Sequence, residues 1–496
     1  MTNLERFYIG GEWVAPLSAE RMDVENPATE EVIGQIALAG PRDVEAAVSS
    51  ARDAFARWAP SHEERRALLE RILDVTRARR GDLAAAITRE MGAPATMSHG
   101  AQAAVAISHL EGFLKALEDF PWREDLGNGD VLLREPIGVC GLITPWNWPI
   151  NQITLKVLPA IAAGCTMVLK PSELTPLSAI VYAEILHEAG VPPGVFNMIH
   201  GTGPDAGAAL SRHPDIGMMS FTGSVRGGAA VSKDAADSVK RVTLELGGKS
   251  PCLMMPDAQP GTHAALAGWG KWFSAGQTCV APDYMLVPEG RAQVWADAML
   301  DVARRFLAGG ARDYTAIASD RHMERLREMV AEAEERGAEV RRADLPAGTN
   351  RRLMAPAVVL GAPDDCRLMT EEIFGPVLPI REYASLDEAA AYVNARPAPL
   401  AAYAFGNDAG RARRALRRIR SGGGAINATV LHLGAPDMPF GGIGASGMGA
   451  YHGRAGIMAF SHERTVVQVP DLPMLRRMLL PPYDARQRRV IRWMAR

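Results

Sequence analysis

One cysteine stands in a segment whose composition favours a reactive thiol. Cys279 lies in the stretch Gly276-Gln277-Thr278-Cys279-Val280-Ala281-Pro282, where small and turn-forming residues bracket it. No second cysteine is close enough in sequence to pair with it, and a structural cysteine is expected more often in an apolar helix or strand. Cys279 could therefore act as a nucleophile, with a packing role as the alternative.

Two further polar residues stand where apolar segments meet turns. Glu245 ends an apolar stretch before Gly247-Gly248, and a carboxylate in a mostly apolar pocket has the raised pKa that a general base needs near neutral pH. Asn147 lies in the segment PWNWP, whose prolines and tryptophans favour a rigid turn. Its amide could stabilise an oxyanion. The alternatives are a salt bridge of Glu245 with Lys249 and a packed turn that bonds Asn147 to the local backbone.

Two segments at the ends of predicted strands could hold a nucleotide. Lys170 and Glu173 precede a helix, where open parallel sheets bind ligands, and could hold ribose hydroxyls; a surface ion pair is the alternative. The segment FTGSVRGG, residues 221–228, runs from a strand into a glycine-rich helix start that suits a pyrophosphate. Residues 201–207 have the wrong spacing for a dinucleotide fingerprint and are predicted to form a turn and helix start.

Strands and helices alternate along most of the chain. Strands are predicted at 131–133, 137–143, 165–169, 195–199, 218–221 and 284–287, and helices at 177–189, 291–308 and 320–336, after an N-terminal hairpin at 7–14. Strands separated by helices form parallel sheets. Because a second alternation begins after Lys249, we predict an α/β fold with two Rossmann-like parallel-sheet domains and a boundary near Gly247-Gly248.

Composition restricts the class of protein. The chain has 496 residues, of which 47% are hydrophobic and 22% charged, and a net charge of −3. This length predicts two or three domains, and the charge gives no reason to expect nucleic acid. Five scattered cysteines without a CxxC pair argue against a disulfide framework and a metal site. With no predicted signal peptide or membrane span, we expect a soluble cytoplasmic protein.

Seven segments together carry a resemblance to a known family. They are, in family order, PWNWP, KPSE, FTGS, ELGGKSP, GQTC, EEIFGPV and PFGGIGASGMG. With them the sequence resembles the NAD(P)-dependent aldehyde dehydrogenase superfamily from Phe7 to at least Val469. The resemblance implies oxidation of an aldehyde to the carboxylic acid.

The resemblance also implies roles for individual residues. Cys279 would attack the aldehyde to give a thiohemiacetal, Asn147 and the Cys279 backbone N–H would form the oxyanion hole, and Glu245 would activate the water that hydrolyses the thioester. Lys156 matches a family position near the active site. The cofactor would be held by residues at the ends of the first sheet and in the EEIFGPV segment, namely Trp146, Lys170, Glu173, Gly223, Ser224, Gly228, Glu372 and Phe374.

The cofactor and the substrate follow from the same resemblance. A carboxylate at Glu173 repels a 2′-phosphate, so NAD is expected to be preferred, with NADP as the alternative. Four aromatic residues fall on segments that line the family's substrate tunnel and favour an apolar or aromatic aldehyde, unless some of the rings face the core: Trp148, Trp272, Phe273 and Phe440.

The family pattern further implies a domain organisation and an oligomer. Residues 1–122 and 143–247 would bind NAD, residues 248–463 would form the catalytic domain, and residues 123–142 and 464–496 would supply oligomerisation strands and a tail. The chain up to about Pro251 resembles the general tetrameric branch. From Gly276 it resembles the class 3 and coniferyl-aldehyde branch, whose members are typically dimers. A homodimer or a homotetramer is therefore expected, and a natural mosaic and an engineered chimera both stay open.

Two local features depart from the family or extend beyond its motifs. Val225 replaces the usual threonine, and Ser274 replaces a common asparagine; neither change removes a group with an assigned role. The tail carries seven arginines between Arg476 and Arg496. We expect this basic tail to dock on a neighbouring subunit, with a tunnel cover or an acidic membrane surface as alternatives.

Other functions remain to be weighed against aldehyde oxidation. A coenzyme-A-acylating dehydrogenase would pass the thioester to a thiol, although Glu245 favours hydrolysis. A thiol esterase could act without NAD. A non-catalytic structural or binding protein with this fold is the alternative of a different class, although it would not need Cys279, Asn147 and Glu245 together.

Overall fold

The computed structural model describes residues 3–127, 129–310, 313–346, 350–469 and 480–494. The strands in these ranges are β1 (Phe7–Ile9), β2 (Glu12–Val14), β3 (Arg21–Asn26), β4 (Glu31–Ala37), β5 (Arg123–Gly127), β6 (Asp130–Pro136), β7 (Val139–Ile143), β8 (Thr166–Lys170), β9 (Phe196–Met198), β10 (Met218–Gly223), β11 (Arg241–Leu246), β12 (Pro251–Met254), β13 (Tyr284–Pro288), β14 (Glu339–Arg342), β15 (Ala357–Leu360), β16 (Val377–Tyr383), β17 (Ala401–Phe405), β18 (Gly423–Ile426), β19 (Gly447–Met448) and β20 (Ser461–Val466).

The helices include the predicted segments 177–189, 291–308 and 320–336 and others that the sequence did not indicate. They are α1 (Pro41–Phe55), α2 (His62–Ala78), α3 (Arg80–Met91), α4 (Ala95–Met97), α5 (Ala103–Leu117), α6 (Pro149–Ala163), α7 (Pro176–Glu188), α8 (Ala208–Arg212), α9 (Val225–Ala236), α10 (Pro260–Trp272), α11 (Ala292–Leu307), α12 (Asp320–Glu335), α13 (Arg367–Thr370), α14 (Leu386–Asn394), α15 (Ala409–Leu416), α16 (Gly453–Ala459) and α17 (Ala485–Met494). Within the described ranges, no helix combines the length and apolar character that a membrane crossing requires.

The first sheet places the predicted ligand-binding turns at one edge. Its eight strands have the order β19-β11-β10-β7-β8-β9-β1-β2, and the central strands β11, β10, β7, β8 and β9 are parallel. The predicted hairpin of β1 and β2 is antiparallel and lies at the end of the strand order opposite to β19. Because parallel strands end at the same edge, the ends of β7, β8, β10 and β11 bring four sequence motifs together there.

The second sheet begins directly after Gly247-Gly248. Its seven strands have the order β14-β15-β16-β13-β12-β17-β18, and all except β14 pair in parallel. Its core contains apolar side chains from the strands and from α10, α11 and α12. The prediction of an α/β fold with two parallel sheets is confirmed.

Residues 121–135 and 462–496 form a separate compact unit. Its three-stranded sheet has the order β20-β6-β5, and Arg134 bonds Glu463 across it over 2.9 Å. Helix α17 carries four arginines of the predicted basic tail, Arg486, Arg488, Arg489 and Arg492. The other three, Arg476, Arg477 and Arg496, lie outside the described residues.

Candidate active site

The thiol segment lies between α10 and β13 and is held by an unusual backbone turn. Ser274, Ala275 and Gly276 have φ values of 54°, 51° and 71°. A side chain at Gly276 would place its Cβ 2.3 Å from the Gly375 carbonyl oxygen, so the turn needs glycine there. The amide of Gln277 fixes the segment further, because it donates to the Ala316 carbonyl and accepts from the Ala318 N–H.

The PWNWP turn bonds directly to the thiol segment. Asn147 Nδ2 donates to the carbonyl oxygen of Gln277 over 3.1 Å. Trp148 Nε1 donates to Thr278 Oγ1 over 3.2 Å. Asn147 therefore bonds a segment distant in sequence, and its amide lies beside the residues that carry Cys279.

Glu245 is buried on β11. It is 1% exposed, and neither carboxylate oxygen has a partner at hydrogen-bond geometry among the described residues. Lys249 pairs instead with Asp283 over 2.6 Å, so the alternative salt bridge to Glu245 does not form. Burial raises the pKa of Glu245 to about 7, although attraction to Lys156 and the nearby Thr222 hydroxyl act in the opposite direction.

Lys156 lies on α6, fully buried. Its Nζ donates to the hydroxyls of Ser220, Thr222 and Tyr451. The sequence did not indicate Ser220 or Tyr451. The i, i+2 spacing of Ser220 and Thr222 places both hydroxyls on one face of β10 and is the signal that could have shown the pair; nothing in the sequence shows that Tyr451 joins them.

The Cys279 thiol is the most accessible of the five. Cys140, Cys165, Cys252 and Cys366 are buried, whereas Cys279 is partly exposed. Burial and the carboxylates of Glu245 and Glu372 raise the pKa of the Cys279 thiol well above its usual value. The resting side chain is therefore a thiol, which needs a base before it can attack.

One cavity of about 990 Å³ is lined by most of the predicted catalytic and cofactor residues, although not by Lys156, Lys170 or Gly228. Its walls include Cys279, Asn147 and Glu245. They also include most of the predicted cofactor residues, namely Trp146, Glu173, Gly223, Ser224, Glu372 and Phe374. Residues that the sequence did not single out complete the wall, among them Arg321, His322 and Arg325. The catalytic and cofactor motifs thus share a single space.

Lys170 is buried at the end of β8. Its Nζ donates to the carbonyl oxygens of Pro171 and Gly201 over 3.0 and 2.9 Å and lies 3.5 Å from the Glu173 carboxylate. Burial lowers the pKa of Lys170 while Glu173 acts against that shift. The pair is therefore not a surface ion pair, because only Glu173 reaches solvent.

The start of α9 has the geometry of an anion site. Ser224 Oγ accepts the Gly227 N–H over 3.1 Å and caps the helix. A Cβ at Gly228 would lie 2.5 Å from Leu246 Cδ2, so glycine allows the helix to pack closely on β11. Val225 and Arg226, at the first turn, line the cavity together with Gly223.

Glu372 and Phe374 approach from the second sheet. Glu372 Oε1 accepts the Gly248 N–H over 3.2 Å, and burial raises the pKa of Glu372 to about 8. Phe374 has a φ of 56°, and its ring lies edge-on to Trp146 with centroids 5.6 Å apart. A Cβ at Gly247 would lie 2.1 Å from Glu372 Oε2, which explains the glycine at this crossing.

The four predicted tunnel aromatics occupy different surroundings. Trp148 packs on Phe273 at 5.9 Å, and Phe273 packs on Trp269 at 4.9 Å. Trp272 is fully buried, and its Nε1 donates to the Met299 carbonyl. Phe440 stacks on His452. A second cavity, of about 490 Å³, has Trp269, Trp272 and Phe273 in its walls.

Comparison with known proteins identifies the family and the fold. The sequence profile of the Aldehyde dehydrogenase family matches residues 13–466. The chain belongs to the aldehyde dehydrogenase family. A curated aldehyde dehydrogenase relative, the 3-succinoylsemialdehyde-pyridine dehydrogenase of a Pseudomonas species, is 39% identical over 94% of this chain and 99% of its own length.

Solved aldehyde dehydrogenase structures superpose closely. A cysteine-to-alanine mutant of aldehyde dehydrogenase C from Pseudomonas syringae, in complex with NAD+ and octanal, has a TM-score of 0.91 and 39% identity, covering 95% of this chain and 98% of that one. Betaine aldehyde dehydrogenase from Staphylococcus aureus, in complex with NAD+, has a TM-score of 0.88 and 29% identity, covering 94% of each chain. The resemblance seen in the sequence is thereby confirmed at family level.

Proposed function

We propose that this protein oxidises an apolar aldehyde to the carboxylic acid, with NAD as the hydride acceptor and a thioester on Cys279 as the covalent intermediate. The observation that carries the proposal is the 990 Å³ cavity, whose walls contain Cys279, Asn147 and Glu245 together with the residues assigned to the cofactor. This chemistry requires a thiol as the nucleophile, an amide that donates to the oxyanion and a carboxylate as the base.

The residues in the cavity fit NAD. The capped start of α9 offers backbone N–H groups to a pyrophosphate. Glu173, partly exposed beside Lys170, would accept hydrogen bonds from the adenosine ribose, and Glu372 would hold the second ribose. When bound there, NAD supplies the acceptor for the hydride that leaves the aldehyde carbon. Relatives of known structure contain NAD+ in complex.

The first step requires a base for the thiol. Because the pKa of Cys279 is raised, Glu245 takes the proton as sulfur attacks the aldehyde carbon and the S–C bond forms. A primary amide has two N–H groups. One from Asn147 is occupied by the Gln277 carbonyl, which orients the amide, and the other would donate to the new oxyanion.

The second step hydrolyses the thioester. Glu245 first passes the thiol proton to solvent and then removes a proton from water. The oxygen attacks the thioester carbon, the C–S bond breaks to release the acid, and the proton returns from Glu245 to the Cys279 sulfur. The carboxylate can act in both steps because no protein donor among the described residues occupies its oxygens.

Cofactor choice depends on Glu173. Its negative charge would repel a 2′-phosphate, and buried Lys170 is already bonded to two carbonyl oxygens and to Glu173 itself. We therefore propose NAD as the preferred cofactor and NADP as the weaker one.

The aromatic row of Trp148, Phe273 and Trp269 supports an apolar or aromatic aldehyde. The cavity lined by Trp269, Trp272 and Phe273, of about 490 Å³, has room for a chain of several carbons. The Pseudomonas syringae relative binds octanal, an apolar aldehyde. Trp272 would support the row from the core, and Phe440 would bound it from the C-terminal loop.

The domain assignment and the assembly belong to the same proposal. Residues 1–122 and 143–247 would bind NAD and residues 248–463 would carry the thiol, as the two sheets support. Residues 123–142 and 464–496 would join subunits in a homodimer or homotetramer, since β20-β6-β5 leaves β5 as an edge strand. Five unpaired cysteines support a cytoplasmic location.

The test follows NADH formation with NAD and acetaldehyde, hexanal, benzaldehyde or cinnamaldehyde. Cys279→Ala should remove all activity, while Cys252→Ala, which removes a buried thiol from β12, should keep it. Product analysis should show the free acid. Acyl-coenzyme A as the product would establish the acyl-transfer alternative, and ester hydrolysis without NAD would establish the esterase. Absence of NADH with every aldehyde would favour a non-catalytic protein.

A further inference from the structure

Three hydroxyl groups surround the buried ammonium of Lys156. The Nζ lies 3.2 Å from Ser220 Oγ, 2.8 Å from Thr222 Oγ1 and 3.1 Å from the Tyr451 hydroxyl. The nitrogen also lies 4.4 Å from the centroid of the Tyr451 ring. We call these three residues the hydroxyl cage. Of these groups, only Lys156 was assigned to the site from the sequence, and the three cage residues had no predicted role.

The hydroxyl cage matches the charged form of lysine. A protonated lysine has three N–H donors and no acceptor, and the cage presents three oxygens, one for each donor. A hydroxyl can also donate to a neutral amine, but the Tyr451 hydroxyl donates to the Thr243 carbonyl oxygen over 3.5 Å, which leaves its oxygen to accept from Lys156. Hydrogen bonds to the charged form and the negative face of the Tyr451 ring both favour the ammonium. The cage thus opposes burial, which lowers the pKa of Lys156.

The register of strands β10 and β11 places the hydroxyl cage beside Glu245. Thr222 lies directly opposite Glu245 in the parallel pair of β10 and β11, and Ser220 lies opposite Thr243. Tyr451 comes from the C-terminal loop, which pairs with the same strand through β19, where Gly447 lies opposite Glu245. The Tyr451 hydroxyl also lies 3.0 Å from Ser220 Oγ. The C-terminal loop therefore supplies one wall of the cage.

We propose that Tyr451 is a positioning residue for the hydrolysis step, because its hydroxyl completes the cage that keeps Lys156 charged beside Glu245 and thereby keeps Glu245 ionised. This inference rests on the proposed function of Glu245 as the base. Tyr451 touches neither substrate nor cofactor in this scheme. It acts through Lys156, which is why a hydroxyl far along the chain affects the base.

The charged neighbours of Glu245 define the expected direction. Lys156 from α6 lowers the pKa of Glu245, while the Cys279 thiol and the Tyr451 hydroxyl are acids whose own pKa values Glu245 raises. Tyr451→Phe removes one acceptor from Lys156, so less positive charge faces Glu245. A carboxylate with less positive charge nearby keeps its proton to higher pH.

The experiment compares the parent enzyme with Tyr451→Phe, using hexanal and NAD. Steady-state kcat should fall about 5-fold near pH 7, and the acid limb of its pH profile should move up by about one pH unit, the scale of one hydrogen bond to a charge. The initial burst of NADH should remain when it is measured at pH 9, where Glu245 is ionised in both proteins, because the thiol step uses the same base. Ser220→Ala, which removes a second acceptor, should move the limb in the same direction.

The matched control is Tyr383→Phe. Tyr383 is also buried, and its hydroxyl donates to the Met254 carbonyl over 2.7 Å in the second sheet. It should leave the acid limb unchanged. A Tyr451→Phe profile that coincides with the parent profile, or loss of the burst together with an unshifted limb, would overturn the inference and leave Tyr451 a packing residue.

A second measurement does not need turnover. Iodoacetamide alkylation of Cys279 against pH reports the charge on Glu245, because that charge raises the Cys279 pKa. Below the midpoint at which Cys279 ionises, the plot of alkylation rate against pH should show an inflection near pH 7, where Glu245 ionises, and in Tyr451→Phe this inflection should move to higher pH. An unchanged inflection would contradict the cage even if the parent protein oxidised no aldehyde, whereas a shifted inflection without turnover would support the cage and count only against the proposed reaction.

Discussion

Asn147 Nδ2 and the carbonyl oxygen of Gln277 lie 3.1 Å apart, and this hydrogen bond joins the PWNWP turn of the first sheet to the thiol segment of the second. The amide is thus oriented by the same segment that carries Cys279. Because this hydrogen bond links the two segments, the second amide N–H stays near the position where an oxyanion forms on the attacked carbon.

Replacing Asn147 by alanine should lower kcat/KM for hexanal by about 100- to 1000-fold, the usual effect of removing one oxyanion donor. The measurement is NADH formation by the purified variant. The alkylation rate of Cys279 serves as the control for an intact thiol segment, and it should stay near the parent value. Full activity in Asn147→Ala would assign the oxyanion hole to other donors.

Replacing Glu173 by glutamine should shift the cofactor preference. The variant keeps the shape of the side chain and removes the charge that faces the ribose, so the ratio of kcat/KM for NADP to that for NAD should rise about 10-fold. Glu184→Gln, which removes a partly exposed carboxylate bonded to Arg79 between α2 and α3, is the matched control. An unchanged ratio would show that another group discriminates against the 2′-phosphate.

The pH dependence of hydrolysis should follow Glu245. Its pKa is about 7, and only the ionised form accepts a proton, so steady-state kcat should fall as pH decreases through about 7. A pH profile of kcat with saturating hexanal and NAD measures this limb. Glu245→Gln should abolish steady-state turnover; a limb near the ordinary carboxylate range in the parent enzyme would contradict the role of burial.

Replacing Phe273 by alanine should reduce selectivity among aldehydes. Phe273 joins Trp148 to Trp269, so the truncation opens the aromatic row and removes its contact with long or aromatic substrates. The ratio of kcat/KM for hexanal to that for acetaldehyde should fall about 10-fold or more, as loss of one apolar wall implies. Phe405→Leu, in the second-sheet core, is the control.

Most of the fold could be predicted because its signals are local. Strand–helix alternation predicted both sheets, and the turn residues predicted the hairpin at Gly10-Gly11 and the crossing at Gly247-Gly248. The grouping of Cys279, Asn147 and Glu245 around one cavity agrees with the expectation that parallel strands end at a common edge.

The remaining features depend on register and packing, which no local pattern contains. The sequence offered Lys249 as a partner for Glu245, yet Lys249 pairs with Asp283, because the ELGGKSP segment turns into the second sheet after Glu245. The place of Tyr451 beside Lys156 depends on how β19 pairs with β11. The surroundings of Trp272 and Phe440 depend likewise on side-chain packing that spacing alone does not define.

Burial of the Glu245 carboxylate makes the free energy of unfolding depend on pH. Its pKa rises on folding from 4.5 to about 7, so above pH 4.5 the unfolded chain releases a proton that the folded chain retains. The free energy of unfolding therefore falls as pH increases toward 7 and stays lower beyond it, by up to roughly 3 kcal/mol. Urea denaturation should show Glu245→Gln to be more stable than the parent at pH 8 and similar at pH 4.5. Equal stability at pH 8 would show that Lys156 fully compensates the burial.

Glu245 therefore serves catalysis and at the same time lowers the free energy of unfolding near neutral pH. Exchanging Glu245 for a neutral residue should make the folded chain more stable and leave it without its base, so one buried carboxylate both enables catalysis and limits stability.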